Sequence, residues 1–405
     1  MYRRAGRAPA WRMRVLAALA ALLATACVQR DTRERQGPAS AVTPWQTVVA
    51  EAKAFTLRIG FVPTANFTHT STDLQDFPFC GRAPRLVLPY SYEDPAIEWR
   101  DDLTPVQCRS AAPAMDVHYG MSEALGEIAS PVTPAMIASG VPRMVYLVVH
   151  EDCHDQFNLP YGIEEPLCEV ISYRAMLAIA REPGPWTNEE RTAIRDYAVV
   201  NAGRIPLNLR YYQQAAALYT RHARGELRED DLMREREAVF ARAEASTGSP
   251  PGSINNVVLA NRMTYARHHA FVERVLERLG SDLGRLVSFF RQVDENRMAA
   301  ERSDEGRAIE PAPAPDSKPL KSGPRQRALP LPRTAASVRS TGGAKPARPL
   351  ARPAPREDAP FRAVAGDGGN PANAADVESP AALLARIQAA EAAVLDTAAR
   401  LLPLR

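Results

Sequence analysis

The chain has 405 residues, of which 45% are hydrophobic and 24% charged, and its formal net charge is +3. That balance shows neither the basic footprint of a nucleic-acid binder nor a charge that would trap acidic substrates. A bilayer-spanning helix needs about 20 apolar residues, and no stretch meets that requirement.

The first 27 residues combine an arginine-rich start (Arg3, Arg4, Arg7, Arg12, Arg14) with an apolar run from Val15 to Leu23 and the small residues Ala24, Thr25 and Ala26 before Cys27. This resembles a bacterial lipoprotein signal: residues 1–26 would be removed and lipid attached to the Cys27 sulfur. Ala24 departs from the usual leucine, and an ordinary cleaved signal with an incidental cysteine is the alternative. Val28, a non-acidic residue after Cys27, points to the outer membrane, facing the periplasm.

Residues 27–43 are polar and read as a tether to a domain spanning 44–298. Within it, 44–53 suggests a short helix. Segment 54–62 alternates like a strand, and 85–88 and 115–119 suggest two more. From 131 onward the period is helical, with helices expected over 142–157, 165–181, 188–224, 229–245, 255–279 and 282–296. Breaks fall at Gly184-Pro185, Gly225 and Ser249-Pro250-Pro251-Gly252. Strands followed by helices predict a helix-rich α+β domain with a small amino-terminal β part. From 299 to 378 proline, alanine, arginine and serine dominate, with too little apolar area to offset an ordering cost of about 1 to 2 kcal/mol per residue, so this stretch is expected to be disordered. Ser379-Pro380 then caps a terminal amphipathic helix within 379–405, docked on the body, recruiting a protein partner, or standing as a marginal helix alone in solvent.

Four cysteines follow Cys27: Cys80, Cys108, Cys153 and Cys168. In an oxidising compartment they permit three complete pairings. Cys80 with Cys108 and Cys153 with Cys168 is the preferred scheme, and free buried thiols are the alternative.

The strongest chemical signal is His150-Glu151-Asp152-Cys153-His154, preceded by the apolar run Val145-Tyr146-Leu147-Val148-Val149. At about 100° per residue, His150 and His154 stand about 40° apart on one helical face, so one cation can reach both. Glu151 lies one step round, close enough to take a proton from a metal-activated water. Downstream, Glu165 and Glu169 share a face at i, i+4, which suits a third ligand (Glu165) followed by a carboxylate (Glu169) that steadies the free ring nitrogen of a ligating histidine. Two histidines and a glutamate leave one position open, the arrangement of catalytic zinc. The candidate oxyanion donors are Tyr265, Tyr173, Tyr211, His268 and His269, with Tyr265 preferred. His69, His118 and His222 are read as lying outside the site, and Asn255 and Asn256 as helix caps.

Three stretches together resemble the bacterial family of predicted aminopeptidases, metallopeptidases with a glutamate third ligand. They are Asp116-Val117-His118-Tyr119-Gly120 with Leu125-Gly126 and Pro131-Val132; the two metal segments; and Asn255-Asn256-Val257-Val258-Leu259-Ala260 with Thr264-Tyr265, Phe271 and Gly280-Ser281-Asp282-Leu283. The resemblance covers roughly 180 residues. It implies a zincin-like domain with zinc on His150, His154 and Glu165, Glu151 as general base and Glu169 behind the ligands. Two departures stand out. Asp152 occupies a position normally uncharged, where it either raises the pKa of the activated water or faces solvent, and Glu165 follows His154 by only eleven residues.

The sequence therefore predicts zinc-dependent hydrolysis of peptide bonds in the bacterial envelope; the resemblance implies aminopeptidase-like action, and an endopeptidase or an amidase acting on cell-wall peptides fits the same ligands. Glu123, Glu127 and Glu164 are the candidates for binding a substrate α-ammonium. The alternative is a zinc-binding envelope scaffold without activity.

Overall fold

The computed structural model describes residues 43–71, 76–110, 113–126, 129–308 and 378–402. The expected signal segment, the lipidated Cys27, most of the tether, Glu127 and most of the proline-rich stretch lie outside the described residues.

The chain opens with helix α1 (Trp45–Arg58), whose buried Val48, Val49, Ala52, Phe55 and Thr56 recur at helical spacing. The strand expected over 54–62 is thus largely the end of α1. Of its alternating residues, Phe55 and Ile59 continue a helical stripe that begins at Val48 while Leu57 is exposed, and burial of that stripe decides the outcome. Three strands follow in one antiparallel sheet of order β2-β1-β3: β1 (Phe77–Pro84), β2 (Glu98–Arg100) and β3 (Met115–Ser122). Residues 85–88 are not a strand; pairing with β3 ends at Pro84, which stands opposite Met115. A short helix, α2 (Pro105–Arg109), opens with a Thr104–Gln107 capping box, and the Cys80–Cys108 disulfide joins it to β1.

Helix α3 (Pro134–Ala138) leads into α4 (Val141–His154) and α5 (Tyr161–Ile179). Helix α4 stops at His154, three residues short of the expected 157, and twelve of its fourteen residues are buried, which explains its apolar run. Helix α5 begins at Tyr161, ahead of the expected 165, with Pro160 as its N-cap. Pro166 accordingly lies inside the helix rather than in its first turn, where the absent N–H removes one intrahelical bond.

Helices α6 (Asn188–Ala223) and α7 (Glu229–Thr247) fall close to expectation, and Gly248 closes α7 in the left-handed conformation at φ 69°. The single helix expected over 255–279 is two, α8 (Asn256–Ala266) and α9 (His269–Arg278). No glycine or proline marks this break. Tertiary contacts accompany it: the Arg267 guanidinium stacks 3.5 Å from the Tyr90 ring, and His268 Nε2 meets Glu391 at 3.1 Å. Helix α10 (Leu283–Ala308) runs past the composition break at 299 into the stretch expected to be disordered. Helix α11 (Pro380–Leu401) begins as expected, with Ser379 accepting from the Ala382 amide and Pro380 at the first helical position.

The described residues thus form a helix-rich fold with one small sheet. One apolar core joins α1, α4, α5, the amino-terminal half of α6, and α9 to α11. A second core lies between the carboxy-terminal half of α6, α7 and α8. The sheet packs on α8 through Ala83, Ile97, Val257 and Ala260. A buried ion pair ties sheet to helices: Arg236 of α7 grips Asp116 of β3 at 2.9 and 3.0 Å, and Asp116 also accepts from the Asn256 amide at 3.1 Å. Asp116 was noted in sequence only as part of the family resemblance, and this is its structural role. Among the described residues no helix is long and apolar enough to cross a membrane.

Removing one partner of such a pair strands a charge in the interior. Arg236→Met is expected to lower the unfolding free energy by about 3 kcal/mol, measured by urea denaturation with the disulfides intact; a loss below about 0.5 kcal/mol would show that the pair does not hold the sheet.

Candidate metal centre

Helices α4 and α5 pack against each other, and the Cys153–Cys168 disulfide joins them with a Cα–Cα distance of 5.6 Å. Cys153 adjoins His154, so the bond sets the two helices at the level of the candidate ligands. His150, His154 and Glu165 are all buried, and each offers a donor atom such that all three atoms lie within 4.8 Å of one another. His150 Nε2 is 3.1 Å from Glu165 Oε2, and His154 Nε2 is 3.6 Å from Glu165 Oε1. Ligands held about 2.0–2.1 Å from a tetrahedral cation stand roughly 3.4 Å apart, so this spacing fits one metal ion.

The far nitrogen of each imidazole is also held. His154 Nδ1 meets Glu164 Oε1 at 2.9 Å, and the other Glu164 oxygen accepts from the Leu159 amide at 3.1 Å. Tyr146 Oη donates to Glu169 Oε1 at 3.0 Å; with its hydrogen spent there, it accepts from His150 Nδ1 at 3.3 Å. With each Nδ1 so held, an ion entering the centre would meet the Nε2 lone pair of both rings; without it, the Nε2 atoms face the Glu165 carboxylate, and His154 carries the extra proton. Glu169 was expected to hold a ring nitrogen directly; the structure interposes Tyr146. Glu164, expected only as a binder of substrate ammonium, has this role on His154 instead. Tyr146 was not foreseen, although it stands one helical turn before His150 on the face that continues to His154, a spacing that marks it.

Charge is concentrated here. Burial raises Glu151 and Glu169 above the ordinary carboxylate range, against the pull of His150 in both cases. Glu165 moves the other way: burial opposes its charge, but His154 and His150 outweigh that and hold its carboxyl low. His154 is raised to about 10, since burial is outweighed by Glu165, by the hydrogen-bonded Glu164 and by Glu151. A cation entering the site must displace that proton.

Asp152 does not face solvent. It is buried on the opposite side of α4, 3.0 Å from Lys53 Nζ and 2.5 Å from Thr64 Oγ1, and fastens α4 to α1.

The centre opens into a cleft of about 980 Å³, lined among others by Glu93, Glu151, Glu164, Tyr265 and Trp99. The segment after β3 forms one edge, where Gly126 allows close approach: a methyl group there would meet His154 Cβ at 2.8 Å and the Glu151 carbonyl oxygen at 3.2 Å. The Tyr265 ring centroid is 6.3 Å from that of His150, and burial together with Glu165, Glu169 and Glu151 keeps its hydroxyl protonated far above the usual range. The other candidate donors lie elsewhere. Tyr173 stacks on Tyr146, Tyr211 pairs with Ser246 and His268 with Glu391, and none of them, nor His269, lines the cleft. Glu123 is paired with Arg143 at 2.8 Å. Glu93, which the sequence did not single out, projects into the cleft, where desolvation and the nearby Glu391, Glu165 and Glu164 raise it to about 7.

Compared with known proteins, the chain matches no family model, no curated protein and no solved structure. The resemblance to predicted aminopeptidases therefore stands on the quoted residues alone.

Groups that orient a metal-bound histidine typically contribute 10- to 100-fold to metal affinity. Tyr146→Phe is expected to weaken binding of a divalent cation by about that factor in competition with a chromogenic chelator. Unchanged affinity would show that Tyr146 does not set the His150 ring.

Proposed function

We propose that this chain is a zinc-dependent peptide hydrolase of the bacterial envelope, aminopeptidase-like, with a zincin-like catalytic domain and a lipid anchor at Cys27. The observation that carries the reading is the His150, His154, Glu165 group with Glu151 beside it in an open cleft. An all-nitrogen and oxygen set of three with one position open suits catalytic zinc, whereas structural zinc usually has four protein ligands, often thiolates. All four cysteines among the described residues are in disulfides, so none competes for the ion. The resemblance to predicted aminopeptidases supports the same assignment.

Zinc at this centre would supply Lewis-acid polarisation of a carbonyl and acidify a water molecule. Glu151 would take that water's proton and return it to the leaving amine; burial raises its carboxyl, which favours its holding the proton between the two transfers. Tyr265 remains protonated and donates to the developing oxyanion, a contribution of about 2.7–4 kcal/mol in comparable sites. Glu93 is the carboxylate assigned to the substrate's α-ammonium, replacing the candidates Glu123 and Glu164, which already hold Arg143 and His154.

Glu151→Gln is expected to retain one zinc per chain while hydrolysis of a peptide library falls by about 10²- to 10⁴-fold, with His154→Ala losing the metal itself. A wild-type protein that holds zinc yet cleaves no peptide would instead support the scaffold.

A further inference from the structure

Helix α11 is separated from α10 by residues 309–377, yet Leu383, Arg386, Ile387 and Ala390 line the same cleft as His150, Glu151, His154 and Glu165. Positions 383, 387, 391, 394 and 398 follow one helical face. Along that face the surroundings change. Glu391, Val394 and Ala398 are buried in the body of the protein. Leu383 and Ile387, two turns and one turn before Glu391, stay half-buried, with the cleft in front of them.

The buried half fixes the helix in register with the metal centre. Glu391 accepts from Tyr90 Oη at 2.7 Å and meets His268 Nε2 at 3.1 Å. It also lies against Gly162 in the first turn of α5, where any side chain would collide with its carboxylate. That turn leads directly to Glu164 and Glu165. The helix is therefore referenced to the segment that bears the third ligand, and its amino-terminal half stands as a fixed wall of the cleft.

We infer that α11 is the substrate-selecting wall of this site, taking an apolar side chain of a short peptide against Leu383 and Ile387 and blocking passage of longer chains on that side. The inference rests on the peptide-hydrolase reading. It assigns a role to a terminal helix that the sequence offered equally to an external partner.

The test compares zinc-loaded full chain, the full-length double variant Leu383→Ala with Ile387→Ala, and a chain ending at residue 377. Calorimetry measures binding of hydroxamate-capped peptides: a leucine dipeptide, a glycine dipeptide and a long peptide with the leucine sequence at its amino terminus. The double variant is expected to lose about tenfold in affinity for the leucine dipeptide and to keep its affinity for the glycine one. The shortened chain is expected to gain about tenfold for the long peptide relative to the full chain. Equal binding of the leucine dipeptide by the full chain and the double variant would overturn the inference, and that comparison does not depend on how the shortened chain folds. Hydrolysis of the uncapped peptides, followed in parallel, separates the two claims. The expected binding pattern without turnover would leave the wall standing and remove the hydrolase reading, whereas turnover with identical binding in the full chain and the double variant would do the reverse.

Discussion

Four carboxylates, Glu151, Glu164, Glu165 and Glu169, are buried around two imidazoles on the adjoining helices α4 and α5. Removing so many acids from water is costly unless positive charge accompanies them. Their protonation reflects that cost: burial pushes Glu151 and Glu169 up, and the same negative field raises His154 to about 10. A divalent cation between the Nε2 atoms and Glu165 would supply the missing charge at the point where the lone pairs converge. This electrostatic constraint links the fold to the chemistry, because every neighbouring element either shapes that pocket or braces the helices that form it.

The bracing comes from three directions. The Cys153–Cys168 bond sets α4 against α5 beside the candidate ligands. Lys53 of α1 neutralises Asp152 on the opposite side of α4, which keeps a fifth acid away from the centre. The segment after β3 closes over His154, with Gly126 permitting the contact, and β3 is itself moored by Asp116 to Arg236. The small sheet thus contributes an edge of the cleft more than a core of its own.

The sequence displayed the candidate ligands because their spacing is local: His150 and His154 lie about one helical turn apart, and Glu165 shares a face with Glu169. The disulfide partners also joined as the preferred pairing had it, and the caps at Asn255 and Ser379 formed where side chains of that type accept from amides two or three residues on. What stayed hidden depends on contacts distant in sequence. The stretch 54–62 alternates convincingly, and only the core around Val48 and Phe55 shows that its first half is helix. The break between α8 and α9 has no glycine or proline to announce it. Glu164 looked like a free acid because nothing local says that the loop before α5 turns it onto His154. Glu93 and the wall formed by Leu383 and Ile387 reach the cleft only through tertiary folding.

The most direct test of the account is zinc K-edge X-ray absorption on the purified protein loaded with one equivalent of metal. A shell of nitrogen and oxygen at about 2.0–2.1 Å, with the outer scattering of two imidazoles, is the result expected for His150, His154 and Glu165. A sulfur neighbour at about 2.3 Å, or a spectrum with fewer than two imidazoles, would contradict it.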